Sequence, residues 1–596
     1  MVGISSRIGI GWGELAMAFI WRMSWYFKLR WKFYSLAIFF IILDYGLGML
    51  PPLIIGNVVD MIKTGELTGP ILEMRVFSLI GISLAAYAII VAWVNLIFRN
   101  GIFVERLLRS KMIEHLTKMS PSFFHRFSRG DLMAQATNDI RAVHMASAFG
   151  IMTLCHTLVG GLFVITMMVL IVDIKLIAAA LIPLPFLALV IRVLGAKMRI
   201  RFLAAQEAFG KLNDQALESI SGIRVIRSYV QEQDDVESFR KVAEDTRAKN
   251  ARVSVIHALF QPSISILVGL SFSIGVGYGA YLVSEGVITL GQLISFQMYL
   301  GMLIWPMIAF GEFINIMQRG SASADRIMDT LSVQSDIVEP VNPIQDAEPT
   351  SIEVRNLSFR YPESKRESLS NISFRIEQGQ TLGIVGKTGS GKTTLLKQLL
   401  KQYPITEQSL FIGGASIEQI SRELIKQWVG YVPQEHLLLS KSIQDNIKLG
   451  RIQASIDEVE HAAEQASLTF DIAQMMDGYD TMIGENGLML SGGQKQRIGI
   501  ARALLIEPEI LILDDALSAV DARTESAILS NIRRERMGKT TLIATHRMSA
   551  VSHADWILVL EDGRIVEEGT HEQLMHLGGW YRTQYERQQV EASLLE

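Results

Sequence analysis

The sequence predicts two unlike domains in one chain: an α-helical domain with six membrane spans, then an α/β domain built around a phosphate-binding loop. Two observations carry this. The 596 residues have a mean hydropathy of +0.28 and only 19% charged side chains, too apolar a balance for an ordinary soluble chain. The octapeptide Gly386-Lys-Thr-Gly-Ser-Gly-Lys-Thr393 fits the pattern G-x-x-x-x-G-K-[ST] without a gap.

Composition excludes several classes of function. A net charge of −4 leaves no basic excess for phosphate backbones, so no nucleic-acid partner is expected. The single cysteine, Cys155, allows neither an intrachain disulfide nor a cysteine metal site. The N-terminal apolar run is interrupted by Glu14 and has no convincing cleavage site, so no cleavable signal is expected.

Residues 1–33 form the first segment, where Arg22, Lys28, Arg30 and Lys32 mingle with tryptophans. That pattern suits a helix lying in the membrane surface, or a cytosolic flank of the first span, and it places the N-terminus in the cytoplasm. Apolar stretches near 34–56, 76–98, 149–172, 176–195, 256–283 and 291–315 each approach the length of a membrane-crossing helix. Spans three and four are separated by a few residues around Asp173, and spans five and six by little more than Ser284-Glu285-Gly286. The links from span two to three and from four to five are long and amphipathic instead. A helix over residues 76–119 would run roughly 65 Å, about twice the hydrocarbon thickness. Such helices project beyond the membrane, on the cytoplasmic side where six spans also return the C-terminal domain.

Each projecting hairpin has a turn suited to docking. One is Ser120-Pro-Ser-Phe-Phe-His-Arg-Phe127 and the other Glu218-Ser-Ile-Ser-Gly-Ile-Arg-Val-Ile226. Aromatic side chains exposed at a turn need a groove to fill, with plain packing inside the helical bundle as the alternative. The helical domain is expected over 34–330. A linker follows at 331–350, marked by Pro340, Pro343 and Pro349, and the α/β domain covers 351–596. Within the spans, Asp44, Asn95, His156 and Gln297 are costly unless paired or wetted. They are candidates for a substrate cavity, as are Met298 and Met302, whose flexible thioethers suit an adaptable apolar pocket. Helix–helix hydrogen bonds and plain packing are the alternatives at each position.

In the second domain Thr381–Val385 reads as a buried strand, and Thr394–Leu400 as a helix opening after the loop. Glycine backbone there lets N–H groups and the helix N-terminus face phosphates. Lys392 would reach the β- and γ-phosphates, and the Thr393 hydroxyl would bind Mg²⁺. Further along stand Gln434 after Val429-Gly-Tyr-Val-Pro433, Leu490-Ser-Gly-Gly-Gln494, Ile510-Leu-Ile-Leu-Asp-Asp515, Ser518-Ala-Val-Asp521 and Thr545-His546. In order and spacing these resemble the Q-loop, signature, Walker B strand, D-loop and switch histidine of the nucleotide-binding domain of ABC transporters. The six spans and long hairpins resemble the exporters of that family.

The resemblance implies ATP and Mg²⁺ as cofactors. It implies that Tyr361 stacks on adenine while Gly386, Lys387, Thr388, Gly389, Ser390, Gly391, Lys392, Thr393 and Thr394 hold the phosphates. Thr393, Gln434 and Asp514 would serve the metal, and Asp515, His546 and Gln434 the chemistry. Leu490, Ser491, Gly492, Gly493 and Gln494 would cap the ATP held by another nucleotide-binding domain, with Asp521 in the adjoining D-loop. One ATPase domain and six spans make half a transporter, so a second half-transporter subunit is expected.

Two positions depart from the family pattern. Asp515 stands where these proteins normally carry Glu, and one methylene less withdraws the carboxylate by roughly 1.5 Å, where a misplacement of about 1 Å can cost a hundredfold in rate. Asn486 stands where exporters often carry Arg. The chain therefore resembles the degenerate-site subunit of bacterial heterodimeric multidrug exporters. That implies ATP-driven export of hydrophobic or amphipathic compounds across the cell membrane, with the ATPase in the cytoplasm and the lipid bilayer as a partner. A homodimeric lipid flippase and a non-pumping, ATP-binding regulatory subunit are the alternatives.

Overall fold

The computed structural model describes residues 18–593 except 345, 346, 363 and 485–489. Glu14 and Asn486 lie outside the described residues. The chain divides into two compact units, Met1–His115 with Gly130–Val333, and Leu116–Arg129 with Gln334–Glu596.

The first unit contains six helices long and apolar enough to cross a membrane: α1 Ser24–Thr64, α2 Gly69–Lys118, α3 Arg129–Ile171, α4 Ile174–Ser221, α5 Glu232–Ser284 and α6 Leu290–Ser332. Each expected span falls within one of them, to within a residue. Large apolar side chains stay exposed along α2, with Phe77, Leu84 and Tyr87 among them, as lipid-facing positions require. The N-terminal segment, expected as a surface-lying helix or a cytosolic flank of the first span, packs its described part into the helical core. Phe19, Met23 and Tyr26 recur at helical spacing and are completely buried, in one core with Ile140 and Val143 of α3 and Met317 and Ile327 of α6. Both nearby arginines are engaged as well. Arg22 meets Asp325 at 3.0 Å, and Arg30 donates to the Asn100 side chain at 2.9 Å.

Helix α1 is interrupted at Met49, before Pro51 and Pro52, and α6 at Leu303, before Pro306. The parts Leu50–Thr64 and Leu290–Met302 lie against each other without side chains at the closest point. A Cβ on Gly291 would stand 2.0 Å from the Gly56 carbonyl oxygen. Hydrogen bonds reinforce the contact: Tyr299 donates to the Met49 carbonyl at 2.5 Å and Ser295 to that of Pro52 at 2.8 Å. Asp60 accepts from the Gly291 N–H and the Thr289 hydroxyl, a carboxylate at the N-terminus of α6 where the helix dipole favours it.

The two hairpin turns have different fates. The first is a short helix, Pro121–Arg126, that groups with the second unit; Phe123 is buried and His125 lies 3.4 Å from the Tyr403 hydroxyl. The second, Ile223–Ser228, buries none of its residues, and Ile220, Val225, Tyr229 and Val230 around it are widely exposed. The segment expected as a linker is largely docked. Ile337 is buried, Glu339 pairs with Arg422, and Ile344 N–H donates to the Gln419 carbonyl at 3.0 Å.

The second unit holds two sheets. A four-stranded antiparallel sheet has the order β2-β1-β4-β5, from β1 Ser351–Phe359, β2 Leu369–Glu377, β4 Leu410–Ile412 and β5 Ala415–Ser416. A six-stranded sheet has the order β10-β9-β3-β8-β7-β6, from β3 Thr381–Gly386, β6 Val429–Val432, β7 Ile510–Asp514, β8 Thr540–Ala544, β9 Trp556–Glu561 and β10 Arg564–Gly569. All its neighbours pair in parallel except β10 with β9. Strands β7 and β8 are buried along their whole length, the signature of a sheet covered on both faces. In such a sheet the crevice at the C-terminal strand ends is where ligands bind. Here those ends deliver the phosphate loop from β3, Asp514 and Asp515 from β7, and Thr545 and His546 from β8.

Burial beside Arg533 pushes the His553 imidazole down to about 4, against the pull of Asp555. The unfolded chain then takes up this proton near 6.5 and the folded chain only near 4, so stability is complete above the first value and falls as pH drops through that window. His553→Gln should flatten the acid side of a melting-temperature-against-pH curve between pH 6.5 and 4, measured by thermal denaturation of the purified protein.

Candidate functional site

A cleft of about 670 Å³ lies at these strand ends, lined by Tyr361, residues 388–394, Gln434, Asp514, Asp515 and His546. Ser364, Arg366, Glu367, Ser368, Asp562 and Gly563 complete it. These last six come from loops without a motif and leave no signal in the sequence. The loop conformation explains its glycines. Gly386 has φ 150° and Gly391 φ 107°, and a Cβ on Gly386 would stand 2.2 Å from the Leu560 carbonyl oxygen. Lys387 points outward to an ion pair with Glu561 at 2.8 Å. Helix α7, Lys392–Leu399, starts directly from the loop.

The polar groups form two linked sets. Asp514 accepts from the Thr393 hydroxyl at 2.9 Å on one oxygen and from the Tyr431 hydroxyl at 3.2 Å on the other. Burial lifts its carboxyl above the ordinary range, and the two hydroxyl donors oppose that rise. Burial also lowers the Lys392 ammonium, which Asp515 and Asp514 oppose. Asp515, in the left-handed region at φ 50°, accepts from His546 Nδ1 at 2.8 Å. Its carboxylate is thus engaged by the imidazole, a pairing that the spacing of the two residues in the sequence does not reveal. Tyr361 packs edge-on to Phe359 and Tyr403, its hydroxyl 3.2 Å from that of Thr394.

These groups fit a nucleotide triphosphate and its metal. The Ser390 hydroxyl is buried with no hydrogen-bond partner among the described residues, a donor waiting for an anion. Lys392 Nζ is held at the loop by the carbonyls of Gly386 and Lys387, at 2.8 and 3.0 Å. The Thr393 hydroxyl and the Asp514 carboxylate are hard oxygen donors of the kind Mg²⁺ takes, few enough to leave places for phosphate and water.

Leu490–Gln494 lies apart from the cleft lining. Ser491 caps helix α8, Gly492–Leu504, through a reciprocal pair: its hydroxyl accepts from Gln494 N–H, and Gln494 Oε1 accepts from Ser491 N–H. Leu490 packs on the core, while Asp471 gathers the Gln494 amide and Arg497. Gly493 abuts the D-loop, where an added Cβ would stand 2.9 Å from the Ala519 carbonyl oxygen. Asp521 caps helix α9, Ala522–Glu535, accepting from Thr524 N–H at 2.9 Å.

Residues 34–307 match the family model for the ABC transporter transmembrane region, and residues 369–518 that for the ABC transporter. The probable multidrug resistance ABC transporter ATP-binding/permease protein YheI of Bacillus subtilis (strain 168) is 48% identical over 569 residues, 96% of this chain and 97% of that protein. The chain belongs to the ABC transporters. The multidrug resistance-like ATP-binding protein MdlA of Escherichia coli (strain K12) is 39% identical over 573 residues, 96% of this chain and 97% of its own. The structure of a bacterial Atm1-family ABC exporter with ATP bound matches with a TM-score of 0.76 at 26% identity, over 94% of this chain and 99% of that one. This ABC exporter is an ATP-hydrolysing, multi-pass membrane protein with its ATPase domain in the cytoplasm.

The exporter's intramembrane polar residues do not behave as one set. Asp44 and His156 converge: Trp93 donates to Asp44 at 3.4 Å, the Tyr45 hydroxyl meets His156 Nδ1 at 2.5 Å, and the Trp93 and His156 rings touch edge-on. Gln297 instead donates to the Phe272 carbonyl of α5 at 3.5 Å, the helix–helix alternative. Asn95 is exposed, about 200° round α2 from Trp93, and so stands away from the Asp44 cluster. Met302 packs into the core around Phe296 and Tyr299, and Met298 is partly exposed.

Proposed function

We propose that this exporter is one half of a heterodimeric multidrug exporter whose own cleft holds ATP and turns it over slowly, while its signature completes the faster site on the partner. One observation carries the reading: the residue directly after Asp514 is the short carboxylate Asp515, and it is turned to His546 at 2.8 Å. Support also comes from the exposed apolar turn at Ile223–Ser228, none of whose residues is buried by the described residues. The multidrug resistance names of the relatives favour hydrophobic and amphipathic substrates over a single solute.

In this reading ATP with Mg²⁺ supplies the scissile phosphoanhydride and the charge that draws two ATPase domains together. Lys392 and the loop N–H groups hold the phosphates, and Ser390 gains the acceptor it lacks. Thr393 and Asp514 hold the metal with Gln434, while Tyr431 keeps Asp514 aimed. His546 donates to Asp515 through Nδ1, which leaves Nε2 facing the cleft to orient the terminal phosphate or a water. Asp515 is short and occupied, so it draws a proton from water poorly. The free N–H groups at the start of α8 face the partner's nucleotide.

Purified alone, the subunit should have little drug-stimulated ATPase activity; co-purified with its partner, it should gain at least tenfold. A homodimer that hydrolyses ATP briskly and moves lipid by itself would point to the flippase alternative and overturn the heterodimer.

A further inference from the structure

The D-loop, Ser518–Asp521, is gripped from two sides by side chains outside the named motifs. From the signature helix comes Gln496, only 3% exposed: its Oε1 accepts from Ala519 N–H at 2.9 Å and its Nε2 donates to the Ser518 hydroxyl at 3.0 Å. That hydroxyl in turn donates to the Asp515 carbonyl at 3.0 Å. From the switch segment comes Arg547, the residue after His546. Its guanidinium donates to the Ser518 carbonyl at 2.8 Å and the Val520 carbonyl at 3.0 Å. The same guanidinium is paired with Glu525, a carboxylate only 4% exposed that also accepts from Ser549 at 3.2 Å. The Ala519 carbonyl lies against Gly493.

These contacts make one unbroken path. It runs from His546, which faces this chain's own cleft, through Arg547 to the D-loop backbone, and through Gln496 and Gly493 to the signature. A planar guanidinium holding two carbonyls and a buried carboxylate has little freedom to reorient. A shift of the switch segment is therefore carried into the D-loop rather than absorbed. We infer that Arg547 and Gln496 are positioning residues that set the signature's geometry for the partner's site according to the state of this chain's own cleft. The inference rests on the reading above, in which the signature serves another chain. Neither residue lines the cleft, so neither is needed to bind nucleotide there.

The test uses the full two-chain transporter in lipid nanodiscs with Arg547→Met, Arg547→Lys or Gln496→Leu in this chain only. Photolabelling with an azido-ATP reports occupancy of this chain's cleft, and steady-state hydrolysis gives kcat and KM. Arg547→Met should leave labelling and KM within about threefold and lower kcat by about tenfold or more, with Arg547→Lys between it and wild type. Gln496→Leu should act alike, and the double variant should lose less than the product of the single losses, since both work through one loop. If Arg547→Met does not assemble, Gln496→Leu alone carries the test. An unchanged kcat in the single variants overturns the inference, as does a loss of labelling in proportion to kcat, because either result removes the path between sites. Failure of the wild-type pair to hydrolyse ATP would instead strike the heterodimer reading itself.

Discussion

Gly493→Asp in this chain should abolish nearly all ATP hydrolysis by the assembled transporter, a loss of a hundredfold or more. Two effects add at that position. A Cβ alone would press to 2.9 Å from the Ala519 carbonyl oxygen, closer than a carbon and an oxygen pack, so the D-loop must move. The carboxylate would also occupy the first turn of α8, where free N–H groups would otherwise meet the partner's phosphates, and it would repel them. Removing a single anion-stabilising donor from an active site costs about 10²–10³ in rate, and here a like charge is added as well. Gly493→Ala separates the contributions, because it keeps the crowding without the charge. It should retain measurable activity, and an alanine as damaging as the aspartate would assign the loss to the D-loop clash alone. Steady-state ATPase assays on both variants give the comparison.

Arg536→Met should unfold the ATPase domain at a temperature lower by about 6–12 °C, equivalent to ~3 kcal/mol. The guanidinium is 7% exposed and sits where β7 and β8 begin. It donates to the Pro508 carbonyl at 2.6 Å, to that of Thr540 at 3.0 Å and to that of Glu509. Burial pulls its own affinity for a proton down to about 10, with Glu509 opposing. Methionine fills much of the volume but takes the side-chain donor from these carbonyls in a place water does not reach; that of Glu509 keeps the Thr540 N–H at 3.1 Å, and each group left orphaned costs about 1–3 kcal/mol. Loss of the strand ends would then disturb Asp514, Asp515 and Thr545 at the far ends of the same strands. Differential scanning calorimetry of the variant measures the shift, and a change under about 2 °C would show that water replaces the guanidinium.

Both residues bear on what could be read from the chain. Gly493 was legible because its motif is contiguous and its chemistry local: a serine, two glycines and a helix start, all within a few residues. The phosphate loop, Asp514, Asp515 and His546 were legible for the same reason, and strand order brings them to one cleft. Arg536 carried no signal, since an arginine near a helix end is ordinary until Pro508 and Glu509 before β7 and Thr540 at the start of β8 supply carbonyls to it. The grip of Arg547 and Gln496 on the D-loop is likewise a product of tertiary packing. In the membrane domain, hydropathy located the spans but not what the polar residues face. Asp44 and His156 meet because α1, α2 and α3 bring Trp93 and Tyr45 between them. Asn95 and Gln297, alike by sequence, are turned elsewhere by rotation about their helices. The buried stripe of Phe19, Met23 and Tyr26 looked like a membrane-surface helix because basic and aromatic residues surround it. Its partners on α3 and α6 lie far away in sequence.

The central claim is that the two ATP sites are unequal and that Asp515 is a poor base. The most direct measurement is the steady-state ATPase rate of the two-chain transporter with Asp515→Ala in this chain. The account predicts a loss of less than about threefold, because hydrolysis runs at the site that this chain's signature completes. A loss of about a hundredfold, equal to that of Gly493→Asp, would contradict it and make Asp515 a competent base in one of two equivalent sites.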